Sequence, residues 1–284
     1  MLNETQLKDK LQILSQNEFR LSTEDDLSEL IPAMLRHIGS TDSVLRDDLI
    51  YFAFQRWIVD YNVVGPEQLC SMLPIALDEQ HLLYRLGEQD SDSVFTRAFS
   101  VLLLPLLLIA HRRQPFLSVS DLQYLKKTLL YYLEKEKDRR GFVKDKGWAH
   151  ATAHAADALE DLAQCSEIGK SDLAEILEVI YNMVCVAESG YSHLEDERIV
   201  TAVITILRRQ LLSTVEVTQW IEGFAGHVLP ATAASERWVI RSNVKNFLQS
   251  LYFRLQWEQL PDRFETAIDQ TLQEINPYKK SAGG

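Results

Sequence analysis

Glycine and proline are scarce in this chain of 284 residues, at 11 and 8, and strand-type alternation of apolar and polar residues is nearly absent. There is no glycine-rich nucleotide loop, no GxSxG elbow and no Cys/His catalytic pattern, so the common nucleotide-binding and nucleophile signatures are missing. The three cysteines, Cys70, Cys165 and Cys185, are widely spaced in apolar helical patterns and form no CxxC pair. They read as reduced, buried thiols of a cytoplasmic protein. Basic residues are outnumbered, 29 Lys and Arg against 41 Asp and Glu, for a formal net charge of −12. That balance argues against nucleic acid, whose phosphates need a basic footprint, and favours small, neutral or cationic partners. The opening residues, MLNETQLKDKLQ, are charged and amphipathic and lack an apolar signal region. Ala98–Ala110 is the one long apolar run, but it is shorter than the roughly twenty residues a membrane span requires, and Pro105 interrupts it. It reads as a buried core helix.

What the chain has is helical periodicity, with apolar residues recurring every three or four positions almost throughout. Helix starts are marked at Ser22-Thr-Glu-Asp, Ser120-Asp, Ser171-Asp and Ser213-Thr-Val-Glu216, the last fitting a capping box. Pro66 and Pro261 occupy positions that suit a first helical turn. The pattern predicts an all-α protein of about twelve helices, one domain over 1–284. From about 118 to 256 paired helices recur with a period of about forty to fifty residues, as in HEAT-like stacked hairpins of an α-α superhelix. The second helices of these pairs open near Trp148, Asp196 and Arg237. An irregular helical bundle is the alternative architecture.

One stretch differs from the rest: DRRGFVKDKGWAHATAHAAD, Asp138 to Asp157. Taken as a helix from Trp148 to Ala163, it puts Trp148, Ala151, Ala155, Leu159 and Leu162 on one stripe and His150, His154, Asp157 and Asp161 on another. His150, His154 and Asp157 can present three ligands to a divalent transition metal such as zinc. Zincin chemistry is not supported, because Ala151 stands where its glutamate belongs. A metal-free polar site and an ordinary helix interface are the other two readings.

The following repeat carries Gly190-Tyr-Ser-His-Leu-Glu-Asp-Glu-Arg198, which supplies His193, Glu197 and Arg198 at an equivalent place. Stacked hairpins would line these residues up with His150 and His154. The acids there also suit a helix start on dipole grounds, and Asp196 suits a cap. Arg139, Arg140, Lys144 and Lys146 form a basic loop suited to an anion at a helix start, or to pairing with Glu134 and Glu136. Arg237, Arg241, Asn243 and Lys245 read as a solvated face. His37, His81, His111 and His227 stand alone near helix ends, and Tyr131, Tyr132, Trp220, Trp238 and Trp257 read as core.

The segments DRRGFVKDKGWAHATAHAADALEDLA, SHLEDERIVTAV and NVKNFLQSLYFRL together resemble a family of uncharacterised bacterial proteins, mainly of Gram-positive species, that share a domain of unknown function. The likeness is densest from about Val94 to Leu255. Its Gly-Trp-Ala-His-x-x-x-His-x-x-Asp core is matched by Gly147, Trp148, Ala149, His150, His154 and Asp157, with Ala155 or Ala156 where related sequences often carry glycine. The resemblance implies a cytosolic, all-helical, bacterial protein and supplies no mechanism. The functional expectation is a helical-repeat protein with a polar groove for a small molecule, a metal or a protein partner, without nucleic acid or membrane. Its ligand contacts would be Arg139, Arg140, Trp148, His193 and Arg198. The alternative is a metal-assisted hydrolase in which His150, His154 and Asp157 hold the metal and Glu197 takes a proton from bound water.

Overall fold

A computed structural model describes residues 2–228, 234–260 and 263–279. The protein is all-α, as its periodicity predicts, and divides into two compact units, Met1–Glu167 and Ile168–Gly284. The division falls in the short connector after Ala163, where the sequence carries no extended linker.

In the first unit α1 (Glu4–Ser15) and α2 (Leu27–Arg36) precede a continuous helical stretch. There the short α3 (Phe52–Phe54) is flanked by π-helical turns at Val44–Tyr51 and Gln55–Asp60. Next come α4 (Pro66–Ala76), with Pro66 in its first turn as expected, α5 (Ser93–Arg113) and α6 (Val119–Lys135). A two-stranded hairpin, β1 (Phe142–Val143) and β2 (Gly147–Trp148), then leads into α7 (Ala151–Ala163). Pro261 lies outside the described residues.

The apolar helix α5 is the centre of this unit. It is long and apolar enough to cross a membrane, yet 89% of its most apolar window is buried inside the protein. Its main partner is α7, whose Ala151, Ala153, Ala155, Ala156 and Ala158 are all buried. Side chains that small let two helix backbones approach closely.

The second unit contains α8 (Lys170–Val184), α9 (Glu195–Arg208), α10 (Thr214–Val228), α11 (Ala234–Trp257) and α12 (Glu265–Ile275). The expected capping box is formed, with Ser213 and Glu216 bonding each other's backbone amides at the head of α10. Helix α8 packs against α9 and α10, α9 against α11, and α10 against α11, while α12 rests on α10 and α11.

Several burial expectations need correction. Cys165 and Cys185 are buried, and burial pushes their thiols up to about 11 and about 12, but Cys70 is exposed. Tyr132 is fully buried, whereas Tyr131, Trp238 and Trp257 are exposed by 50%, 50% and 70%. Asn243, read as part of a solvated face, is 1% exposed. Its amide donates to the carbonyls of Val186 and Ser189, and its Oδ1 accepts from Tyr191 N, fixing the loop before α9.

Candidate functional site

The charged residues between α6 and α7 serve first to hold their own loop. Glu136 and Arg97, both buried, pair through two bonds, Nε to Oε2 at 2.6 Å and Nη2 to Oε1 at 2.9 Å. Glu136 Oε1 also accepts from the amides of Lys137 and Asp138. Buried Asp138 takes Arg140 Nε at 2.8 Å and Nη2 at 2.6 Å, and Arg140 reaches on to the Ser91 carbonyl. Lys146 pairs with Asp92 at 2.7 Å. The partners of Arg140 and Lys146 are therefore Asp138 and Asp92, not Glu134 and Glu136. Arg139 is half-buried, its guanidinium 3.4 Å from Thr152 Oγ1.

At the turn of the hairpin a second buried cation takes over. Arg46 donates to the carbonyls of Ser40 at 2.6 Å and Lys146 at 2.7 Å, with Trp148 O at 3.4 Å. Its guanidinium lies over the rings of Phe95 and Phe99, at 4.2 and 4.8 Å, a placement favoured by their negative faces. Its Nε approaches Asp47 Oδ1 to 2.8 Å as an ion pair, though too bent for a hydrogen bond. Burial raises the pKa of Asp47, while Arg46 and the Trp148 amide oppose that rise. Gly147 must pass close to this cluster. Its φ is +79°, and a Cβ there would meet Ser43 at 2.7 Å and Arg46 and Asp47 at 3.0 Å.

The expected helix from Trp148 begins instead at Ala151. Trp148 is in β2, and His150 stands before the helix in the left-handed conformation, φ 52° and ψ 31°. Trp148 and His150 consequently leave their expected stripes and stack on one another, centroids 4.6 Å apart and planes at 21°. The stack continues in both directions, outward to exposed Phe142 at 5.3 Å and inward to His154 at 5.8 Å. His154 in turn meets Phe99 edge-on at 5.3 Å. Five rings thus form a ladder from the surface to the Arg46 cluster.

His154 is buried, and its Nδ1 lies 3.1 Å from the Ala98 carbonyl. A carbonyl only accepts, so Nδ1 carries the proton. Asp157 is half-buried one turn on, and Asp161 is held by Arg112. Among the described residues no group of three or more His, Cys, Asp or Glu side chains is placed to hold a metal ion. The hydrolase alternative therefore gains no support from this geometry.

The remaining expected residues belong to the second unit. His193 is exposed, its Nδ1 3.1 Å from Ser192 Oγ, and buried Glu195 accepts from the amides of Ser192 and His193. Arg198 is exposed. Glu197 lines a cavity of about 260 Å³ between α9 and α11, together with Asp196, Asn246, Gln249, Ser250, Phe253 and Trp257. Arg254 lies 3.3 Å from Glu197 and is shared with Glu258 at 2.6 Å. Asp196 meets Ser250 Oγ at 3.4 Å and, among the described residues, forms no ion pair. Burial raises its pKa, and the neighbouring Glu197 charge adds to the rise, against hydrogen bonds that lower it. Phe253 and Trp257 stack at 5.9 Å with planes at 22°.

A family model described as "Protein of unknown function (DUF2785)" matches residues 82–253, well over half of the chain. The chain belongs to this family. The DUF2785 span runs from just before α5 into α11, so it contains the ring ladder, the Arg46-held hairpin, Asp196, Glu197 and Ser250, and it stops at Phe253. Comparison with curated proteins and with solved structures found no match.

Sequence reasoning missed most of the α9–α11 cavity, although one signal was readable. At 100° per residue, Ile240, Val244, Phe247, Leu248, Leu251 and Leu255 form the buried stripe of α11, and Phe253 and Trp257 fall well off it.

Proposed function

We propose that this chain is a ligand-binding helical-hairpin protein whose α9–α11 cavity takes a small organic cation. The observation carrying this reading is Asp196: a half-buried carboxylate with no ion-pair partner among the described residues, in a cavity also walled by aromatic rings. The amides at the start of α9 and Ser250 offset only part of the cost of withdrawing this carboxylate from water, and an arriving positive charge would offset more. An ammonium beside Asp196 would supply that charge, and the faces of Phe253 and Trp257 suit the apolar body attached to it. Asn246, Gln249 and Ser250 offer neutral hydrogen-bonding groups for orientation. Glu197, partly neutralised by Arg254, adds negative potential rather than a second open site.

The pairing of α8 with α9 and of α10 with α11, together with the α8–α10 and α9–α11 contacts, supports stacking of HEAT-like hairpins in this unit. Two buried thiols and the burial of α5 support a cytoplasmic setting.

The test uses phenethylamine and its neutral counterpart phenethyl alcohol, titrated calorimetrically into the full chain. The amine is expected to bind saturably, the alcohol at least about tenfold more weakly, and Asp196→Asn to weaken amine binding by a similar factor, since a charge-assisted contact contributes roughly 1.5–3 kcal/mol. Equal binding of the two compounds, or amine binding unchanged in Asp196→Asn, would overturn the reading.

A further inference from the structure

A second cavity, of about 240 Å³, lies between α11 and α12 and has the opposite charge. Two cations one helical turn apart, Arg241 and Lys245, line it beside Trp238, Gln249 and Tyr278, over an apolar floor that includes Leu272 and Ile275. In a protein of net charge −12 most cations find a carboxylate easily. Within this unit Lys170 pairs with Glu216, Arg208 with Glu258, and Arg254 with both Glu197 and Glu258. Among the described residues Arg241 and Lys245 have no such partner. The Arg241 guanidinium lies 4.9 Å from the Trp238 ring centre, which holds it in position, and its Nε is buried without a hydrogen-bond acceptor. Burial of that nitrogen without an acceptor leaves the Arg241 charge partly desolvated and uncompensated, a cost that an anion beside the guanidinium would offset.

We infer that this cavity is an anion site for a small organic carboxylate with an aromatic or apolar body. The planar guanidinium matches a carboxylate, Lys245 adds a second positive charge, and Trp238 and Tyr278 flank the body of the ligand. A phosphate dianion fits less well. The cavity is walled by the C-terminal end of α12, at Ile275 and Asn276, where the helix dipole is negative, and among the described residues that line it none is in the first turn of a helix. A monoanion can keep its charge at Arg241 and Lys245 and turn its carbon skeleton towards α12. The site stands apart from the Asp196 cavity in chemistry and in evidence, although Gln249 borders both.

The test is calorimetric titration of the full chain with phenylacetate, phenyl phosphate and phenethyl alcohol. Phenylacetate is expected to bind saturably and the alcohol at least about tenfold more weakly, with Arg241→Gln costing about tenfold or more and Lys245→Gln less. Asp196→Asn is expected to leave phenylacetate binding unchanged, which separates this site from the cation cavity. Circular dichroism checks that Arg241→Gln folds; if it does not, Lys245→Gln, at an exposed position, carries the test. The inference is overturned by absence of saturable phenylacetate binding, by equal binding of the alcohol, by wild-type affinity in the folded variants, or by tighter binding of phenyl phosphate than of phenylacetate.

Discussion

Arg97 and Glu136 are both almost fully removed from water, and each justifies the other's burial. Truncating one partner leaves the opposite charge stranded, so Arg97→Met is expected to lose about 3–5 kcal/mol in urea unfolding. Asp196 behaves in the opposite sense. Its pKa is raised on folding, so the folded state holds the proton more tightly than the unfolded chain does. That contribution to stability is fully present below the unfolded value, near 4, and is lost as the pH rises through the folded value. Asp196→Asn is therefore expected to gain on the wild type as the pH rises across that window, which urea midpoints at about pH 4 and pH 7 will show. Binding of phenethylamine should strengthen over the same window, because it needs the ionised carboxylate. Gain of stability with loss of binding is the pattern of a residue kept for its ligand.

Among the elements, α7 shows how far the sequence could be read. Its alanines and its end at Ala163 follow from helical spacing, and its close pairing with α5 suits their small size. Ala155→Leu is expected to overpack that interface and lower stability by about 1–3 kcal/mol, measured by denaturant unfolding. The start of α7 was not legible in the same way. Periodicity continues smoothly back to Trp148, and nothing local announces that His150 will take a left-handed conformation or that Gly147 will open a two-residue strand. Those choices are made at long range by Arg46, a hundred residues earlier in the chain, which grips the carbonyls on either side of Gly147. The Asp196 cavity is half legible: Glu197 stands out in the sequence, but Trp257 reads there as core although its helical angle turns it away from the buried stripe, and nothing in the sequence singles out Phe253. The capping box at Ser213 was read correctly because all of its partners lie within three residues.

For the molecule as a whole, α5 answers the question raised by its apolar run. Most of that surface is covered by the protein itself, so untagged protein is expected in the supernatant after cell lysis and a salt wash; recovery only in the membrane pellet would contradict this. The three thiols differ in a way that ordinary chemistry can count. Cys70 is exposed, while Cys165 and Cys185 are buried. A thiol-specific chromophore is expected to label one cysteine at once and the other two only as structure opens. Cys165 belongs to the first unit and Cys185 to the second. Their slow labelling then runs as two clocks in one chain, timing the opening of each unit separately, with no foreign probe introduced. Equal rates would mean that the units open together, and a wide gap would mean that one breathes while the other stays shut.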